Sequence, residues 1–194
     1  MLHLIYSFDV RHMPQGCGTW PAIWEAGLND WPNEGEVDIL EGVNNVGPNA
    51  VSVHTSLGCS MPANRVQAGT GLGTDCGAHS DNDPGCGVTD PFDDSFGPSF
   101  NNNGGGWFAI ERTESFIKVW FWPRDGNSPG EVQEGSGEIN TDTWVSWSPE
   151  ARVQARIFTR FFVGYPDCVL PQPGVRYRWK VRGQQYHYQF DPLR

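Results

Sequence analysis

The chain has 194 residues, of which 38% are hydrophobic and 19% charged, and its net charge is −10. This length suits one domain with a sizeable core, and the composition excludes wholesale disorder. The acidic balance disfavours nucleic acid as a partner, because phosphate binding needs a positive footprint, and no apolar run approaches the roughly 20 residues of a membrane span.

The 24 Gly and 15 Pro residues argue for strands joined by turns rather than long helices. Residues 3–10 read as a strand already under way, and Met1-Leu-His-Leu-Ile lacks the basic and then apolar pattern of a secretory leader. Ala22–Ala26 reads as a second strand. Glu36–Gly42 and Ala50–Thr55 read as a pair, separated by the turn residues Asn44, Asn45, Gly47, Pro48 and Asn49. Residues 57–104, rich in Gly, Asp, Asn, Pro and Ser, read as one long loop region. Trp107–Thr113 and Ser115–Pro123 form a second hairpin. In its second strand Phe116, Lys118, Trp120 and Trp122 face one way and Ile117, Val119 and Phe121 the other, which suits a strand covered on both sides. No segment sustains helical periodicity, so the expected fold class is all-β, a sandwich or jelly roll.

Five cysteines, none in a CxxC pair, argue against structural zinc and for a secreted, disulfide-bearing protein. Cys76 and Cys86 are the best candidates for a local bridge. The charge is uneven: residues 1–150 hold 5 Lys+Arg and 21 Asp+Glu, whereas residues 151–194 hold 8 and 2. Two regions are expected, 1–150 and an atypical basic tail over 151–194, the switch marking a second module, a tail or a stretch of different origin.

The most informative stretch is Gly35-Glu36-Val37-Asp38-Ile39-Leu40-Glu41-Gly42. Glu36 and Asp38 share a face of a strand, but Glu41, five positions from Glu36, points away unless a bulge inserts one residue. A bulge at Ile39-Leu40 returns Glu41 to the face of the other two acids. Three carboxyls on one face repel each other and push at least one pKa up, the condition glycoside hydrolysis needs. An acidic calcium site or a solvated polar face is the plainer alternative.

Around these acids the sequence resembles glycoside hydrolase family 16, in particular its fungal laminarinase-type members. The likeness rests on Asp9-Val-Arg-His-Met-Pro, Gly16-Cys-Gly-Thr-Trp-Pro-Ala-Ile-Trp, Asn29-Asp-Trp-Pro-Asn, the Gly35–Gly42 stretch, Val53-His-Thr-Ser, Gly104-Gly-Gly-Trp-Phe-Ala-Ile-Glu-Arg and Phe116-Ile-Lys-Val-Trp-Phe-Trp-Pro. It covers about residues 4–145 and implies a β-jelly roll of concanavalin-like sandwich type, here incomplete at both ends, with the tail outside the family pattern. It also implies retaining endo-hydrolysis of β-1,3 or mixed β-1,3(4) glucans. Glu36 would be the nucleophile, Glu41 the general acid/base, and Asp38 the residue that tunes them. Trp24 and Trp31 match cleft tryptophans, His54 a histidine on the neighbouring strand, and Trp20 is a weaker substrate-binding candidate, with packing beside Pro21 as its alternative. The resemblance implies a monomeric, secreted protein with a polysaccharide partner; no cofactor, catalytic metal, nucleic acid or membrane is expected to take part. A non-hydrolytic glucan-binding protein and a transglycosylase remain alternatives. Glu25-Ala26 departs from the family's apolar residues after Trp24, and Glu111 and Arg112 read as part of a cross-strand polar pair.

Overall fold

A computed structural model describes residues 3–27, 29–65, 67–80, 83–135 and 139–144, together with the backbone of 177–181 and 184–188. The described strands are β1 (His3–Val10), β2 (Ala22–Ala26), β3 (Glu36–Glu41), β4 (Ala50–His54), β5 (Thr70–Gly71), β6 (Cys86–Thr89), β7 (Gly106–Thr113), β8 (Ile117–Pro123), β9 (Tyr177–Val181) and β10 (Gln184–Tyr188), with short helices α1 (Gly97–Asn102) and α2 (Gly130–Glu134). One antiparallel sheet has the order β1-β7-β8, a second the order β2-β3-β4-β6-β5, and β9 pairs with β10. Most of the 151–194 tail lies outside the described residues.

Alternation explains how the sheets stack. Phe8 and Val10 of β1, Phe108 and Ile110 of β7 and Val119 and Phe121 of β8 join one buried cluster with Val37, Ile39 and Leu40 of β3, Val51 and Val53 of β4 and Val88 of β6. Two inner faces meeting in one core make a β-sandwich. Each such side chain contributes about 1.5–3 kcal/mol on full burial. β8 is buried along its whole length, as its doubly apolar sequence predicts. Its outer face, with Trp120 and Trp122, packs against Val132 of α2 and Trp144 in a second cluster. Trp144 meets both rings edge-on at 4.9 and 5.5 Å.

The 57–104 region departs from the expected loop. It contributes β5, β6 and α1, and β6 sits inside the larger sheet beside β4. Four residues are too few to display alternation, and Gly87 interrupts what pattern there is. That glycine is required: a Cβ there would lie 2.3 Å from the Val51 carbonyl oxygen. Cys76 and Cys86 are bridged, as their spacing suggests, and Cys17 is a free, exposed thiol.

Candidate active site

The outward face of the five-stranded sheet gathers the acids. Asp38 lies opposite Ser52, and Glu36 opposite His54, in the β3–β4 ladder; Trp24 lies opposite Asp38 in the β2–β3 ladder. Directly opposed residues share a face. Between β2 and β3 the register slips: Ile23 pairs with Leu40 and Trp24 with Asp38, which leaves Ile39 as an extra residue. Ile39 and Leu40 are both fully buried, so Glu41 returns to the face of Glu36 and Asp38. Trp20, Ala22, Trp24, Glu36, Asp38 and Glu41 line one open cleft of about 220 Å³.

A bulge frees backbone groups that must find other partners. Asn49 supplies them. Its amide nitrogen donates to the Ile39 carbonyl at 3.1 Å, and its Oδ1 accepts from the Glu41 N–H at 2.8 Å. The Asn49 backbone N–H is held in turn by Ser95 Oγ at 2.9 Å. Sequence reasoning placed Asn49 in a turn and missed this role. It also missed Ser52, whose hydroxyl donates to Asp38 Oδ2 at 2.9 Å; the signal was its position two residues before His54.

The other expected residues fall around these acids. His54 Nε2 lies 3.3 Å from Asp38 Oδ2. The Trp20 indole N–H donates to Glu41 Oε1 at 2.8 Å. The Trp31 ring lies 6.3 Å from that of His54, and its indole favours the charged form of Glu36. Trp31 is 38% exposed, as its loop predicts; Trp20, the weaker of the cleft candidates, is 50% exposed and lines the cleft. The physical reason is that β2 begins only at Ala22, so Trp20 sits beyond the sheet edge with no core to enter.

Burial first, and then the charge of Asp38, push both Glu36 and Glu41 up to about 7. Glu41 also adds to the upward shift of Glu36. His54 and the indole of Trp31 pull Glu36 the other way, as Trp20, His54 and Ser52 do for Glu41. Burial disfavours charge on His54, but its hydrogen bond and attraction to Asp38, with Glu36 and Glu41 behind, raise its pKa. Two carboxyls that titrate together near neutrality can divide one proton between them. Among the described residues, Glu36, Asp38 and His54 are the group able to hold a cation, with donor atoms within 4.8 Å of one another.

Glu25, the residue out of keeping with its neighbours, points into the sandwich and pairs with Arg112 at 2.8 Å, both all but fully buried. Arg112 therefore crosses between the sheets and is not part of a cross-strand pair, whereas Glu111 does pair across the ladder with Lys118 at 2.9 Å. The difference follows from parity: adjacent residues on β7 face opposite sides of their sheet.

A sequence model described as the XgeA-like, catalytic GH16 domain matches residues 2–162. A probable glycosidase of Schizosaccharomyces pombe is 44% identical over 137 residues, 69% of this chain and 32% of that protein. A probable endo-1,3(4)-beta-glucanase of Aspergillus fumigatus is 42% identical over 151 residues, 77% of this chain and 22% of that protein. The chain thus spans about a third or less of the length of these curated relatives. Among solved structures, GH16 laminarinase 16A from Phanerochaete chrysosporium, with two β-glucans (6-O-glucosyl-laminaritriose) in donor and acceptor sites, is 51% identical with a TM-score of 0.71; the match covers 82% of this chain and 52% of that one. An elongating GH family 16 β-1,3-glucosyltransferase is 33% identical with a TM-score of 0.66, over 84% of this chain and 53% of that one. The sandwich is accordingly a β-jelly roll.

Proposed function

Because this chain belongs to glycoside hydrolase family 16, we propose that it cleaves β-1,3 or mixed β-1,3(4) glucans with retention at the anomeric carbon. The observation that carries this reading is that Glu36, Asp38 and Glu41 line one open cleft with Trp20 and Trp24. Flat indole faces suit the C–H faces of pyranose rings, which gives Trp24 in the cleft, and Trp31 beside His54, the task of holding the chain of sugars.

In the first step the Glu36 carboxylate attacks the anomeric carbon. The glycosidic C–O bond breaks, and Glu41 gives its proton to the leaving oxygen. The product is a covalent glycosyl ester on Glu36. In the second step Glu41, now ionised, takes a proton from water as that water attacks the anomeric carbon and releases Glu36. Asp38, held by Ser52 and His54, fixes the negative charge that keeps both glutamates reluctant to ionise together. The Cys76–Cys86 bridge fits an oxidising, extracellular setting.

The test is release of reducing sugar from laminarin by the purified chain, with products sized by mass spectrometry. Oligosaccharides shorter than the substrate support hydrolysis, and absence of release defeats it. Products longer than the substrate support transfer of the same intermediate to a sugar hydroxyl, the second reading, which the likeness to a β-1,3-glucosyltransferase favours.

A further inference from the structure

We propose that Trp20 is a positioning residue: its indole N–H holds the Glu41 carboxyl, and a clamp made by Asn44 and Asn45 holds the loop that carries it. The inference rests on the reading of Glu41 as acid/base and adds a residue that acts through it. An indole half exposed to solvent ordinarily leaves its N–H to water. Here it reaches Glu41 Oε1 at 2.8 Å.

The loop that carries Trp20 is fixed on both sides of it. The Thr19 carbonyl accepts from the Asn44 N–H at 3.0 Å, and the Pro21 carbonyl from the Gly42 N–H at 3.4 Å. Before the tryptophan, the Gly18 N–H donates to Asn44 Oδ1 at 2.7 Å, and the Gly16 N–H to Asn45 Oδ1 at 2.6 Å. Asn44 and Asn45 have φ of 55° and 62°, a left-handed backbone that Asn tolerates better than most residues. Gly42 is wedged on Phe96, whose ring carbons lie 2.6–2.9 Å from where a Cβ would stand. The loop is therefore stitched to the chain just beyond Glu41, and the indole is set in place before any ligand arrives.

The chemistry follows from the bond's direction. An indole can donate and never accept. Glu41 Oε1 is thus committed as an acceptor, and Oε2 is the oxygen that carries the proton given to the leaving group. The same bond favours the ionised form that the second step needs. The titratable groups facing Glu41 are Asp38 and Glu36 on its own strand and His54 on β4.

The test replaces Trp20 by Phe, which keeps a flat apolar ring and removes the N–H. Carbon-13 titration of the Glu41 carboxyl is compared between E36Q and E36Q/W20F, so that Glu41 shares no proton with Glu36. The expected result is a midpoint raised by about half a pH unit or more, roughly a threefold change in the ionisation ratio. In the W20F single variant the alkaline limb of kcat/KM moves up, and kcat falls further than KM rises. Coincident titration curves overturn the proposal, whatever the activity. Absence of sugar release by the parent chain defeats the glucanase reading instead, and leaves the titration comparison intact.

Discussion

The two faces of the molecule each sequester carboxylates, and they treat them in opposite ways. On the outer face of the three-stranded sheet, Glu111 accepts from Lys118 Nζ at 2.9 Å and from Thr141 Oγ1 at 2.8 Å, with His3 Nε2 at 2.9 Å. Although burial works against its charge, these partners hold its pKa below the ordinary carboxylate value. On the cleft face, Glu36 and Glu41 are also withdrawn from water, yet the charge that acts on them most strongly is that of another carboxylate, Asp38, and both rise to about 7. Burial alone does not decide ionisation; the sign of the partner does. A carboxyl given a lysine is structural, and one set beside a like charge is held ready to exchange a proton.

The largest expected effect comes from removing the ionisable oxygen at the reading's centre. Glu36→Gln keeps the shape and one carbonyl oxygen but cannot form the ester. Turnover of laminarin is expected to fall at least about a thousandfold, while laminarin affinity, read by calorimetry, stays within a few-fold of the parent. Near-parental turnover breaks the contrast between the faces, because Glu36 would then be as inert as Glu111.

On the other face the effect moves from rate to stability. Lys118→Met preserves most of the volume and leaves Glu111 buried without its cation. Losing one partner of a buried pair costs about 3 kcal/mol, read as unfolding free energy in urea at pH 7. Glu111's depressed pKa contributes stability that is present above its unfolded value of 4.5 and lost as pH falls through the folded one. The penalty therefore shrinks below pH 4.5. Activity per folded molecule is expected to stay unchanged, and a matching loss of turnover would mean that the outer face serves the cleft.

How far this was legible in the sequence follows the range of each interaction. The period-2 patterns of β1, β7 and β8 announce their strands, and the odd spacing of Glu36 and Glu41 announces the bulge, because parity is local. The partner that stabilises the bulge is not local in this sense. Asn49 reads as a turn residue, and only the return of β4 alongside β3 brings its amide to Ile39 and Glu41. Glu25 and Arg112 are 87 positions apart and meet only because two sheets stack, so Glu25 looks misplaced until the core is assembled. β6 is hidden by Gly87, whose presence answers to the neighbouring Val51 carbonyl and not to its own strand. Trp20 matches a motif in sequence, but its bond to Glu41 depends on a loop tied down by Asn44 and Asn45.

The smallest effect gives the sharpest contrast, because its sign opposes that at Glu111. Glu41's pKa is raised from 4.5 to about 7. A carboxyl raised in this way contributes stability that is fully present below pH 4.5 and lost as pH climbs through 7. Glu41→Gln keeps the acceptor for the Trp20 N–H and never ionises, so it escapes that loss. The variant is expected to match the parent at pH 4 and exceed it at pH 8.5, with the gap opening between pH 4.5 and 7. The cleft is open and the carboxyl is partly screened by solvent, which reduces the gain to about 1 kcal/mol. Urea midpoints at four pH values measure it. A gain at high pH in Glu41→Gln beside a loss at neutral pH in Lys118→Met is what two oppositely partnered faces require. A flat difference for Glu41→Gln would mean that its carboxyl ionises as freely as one on an open surface.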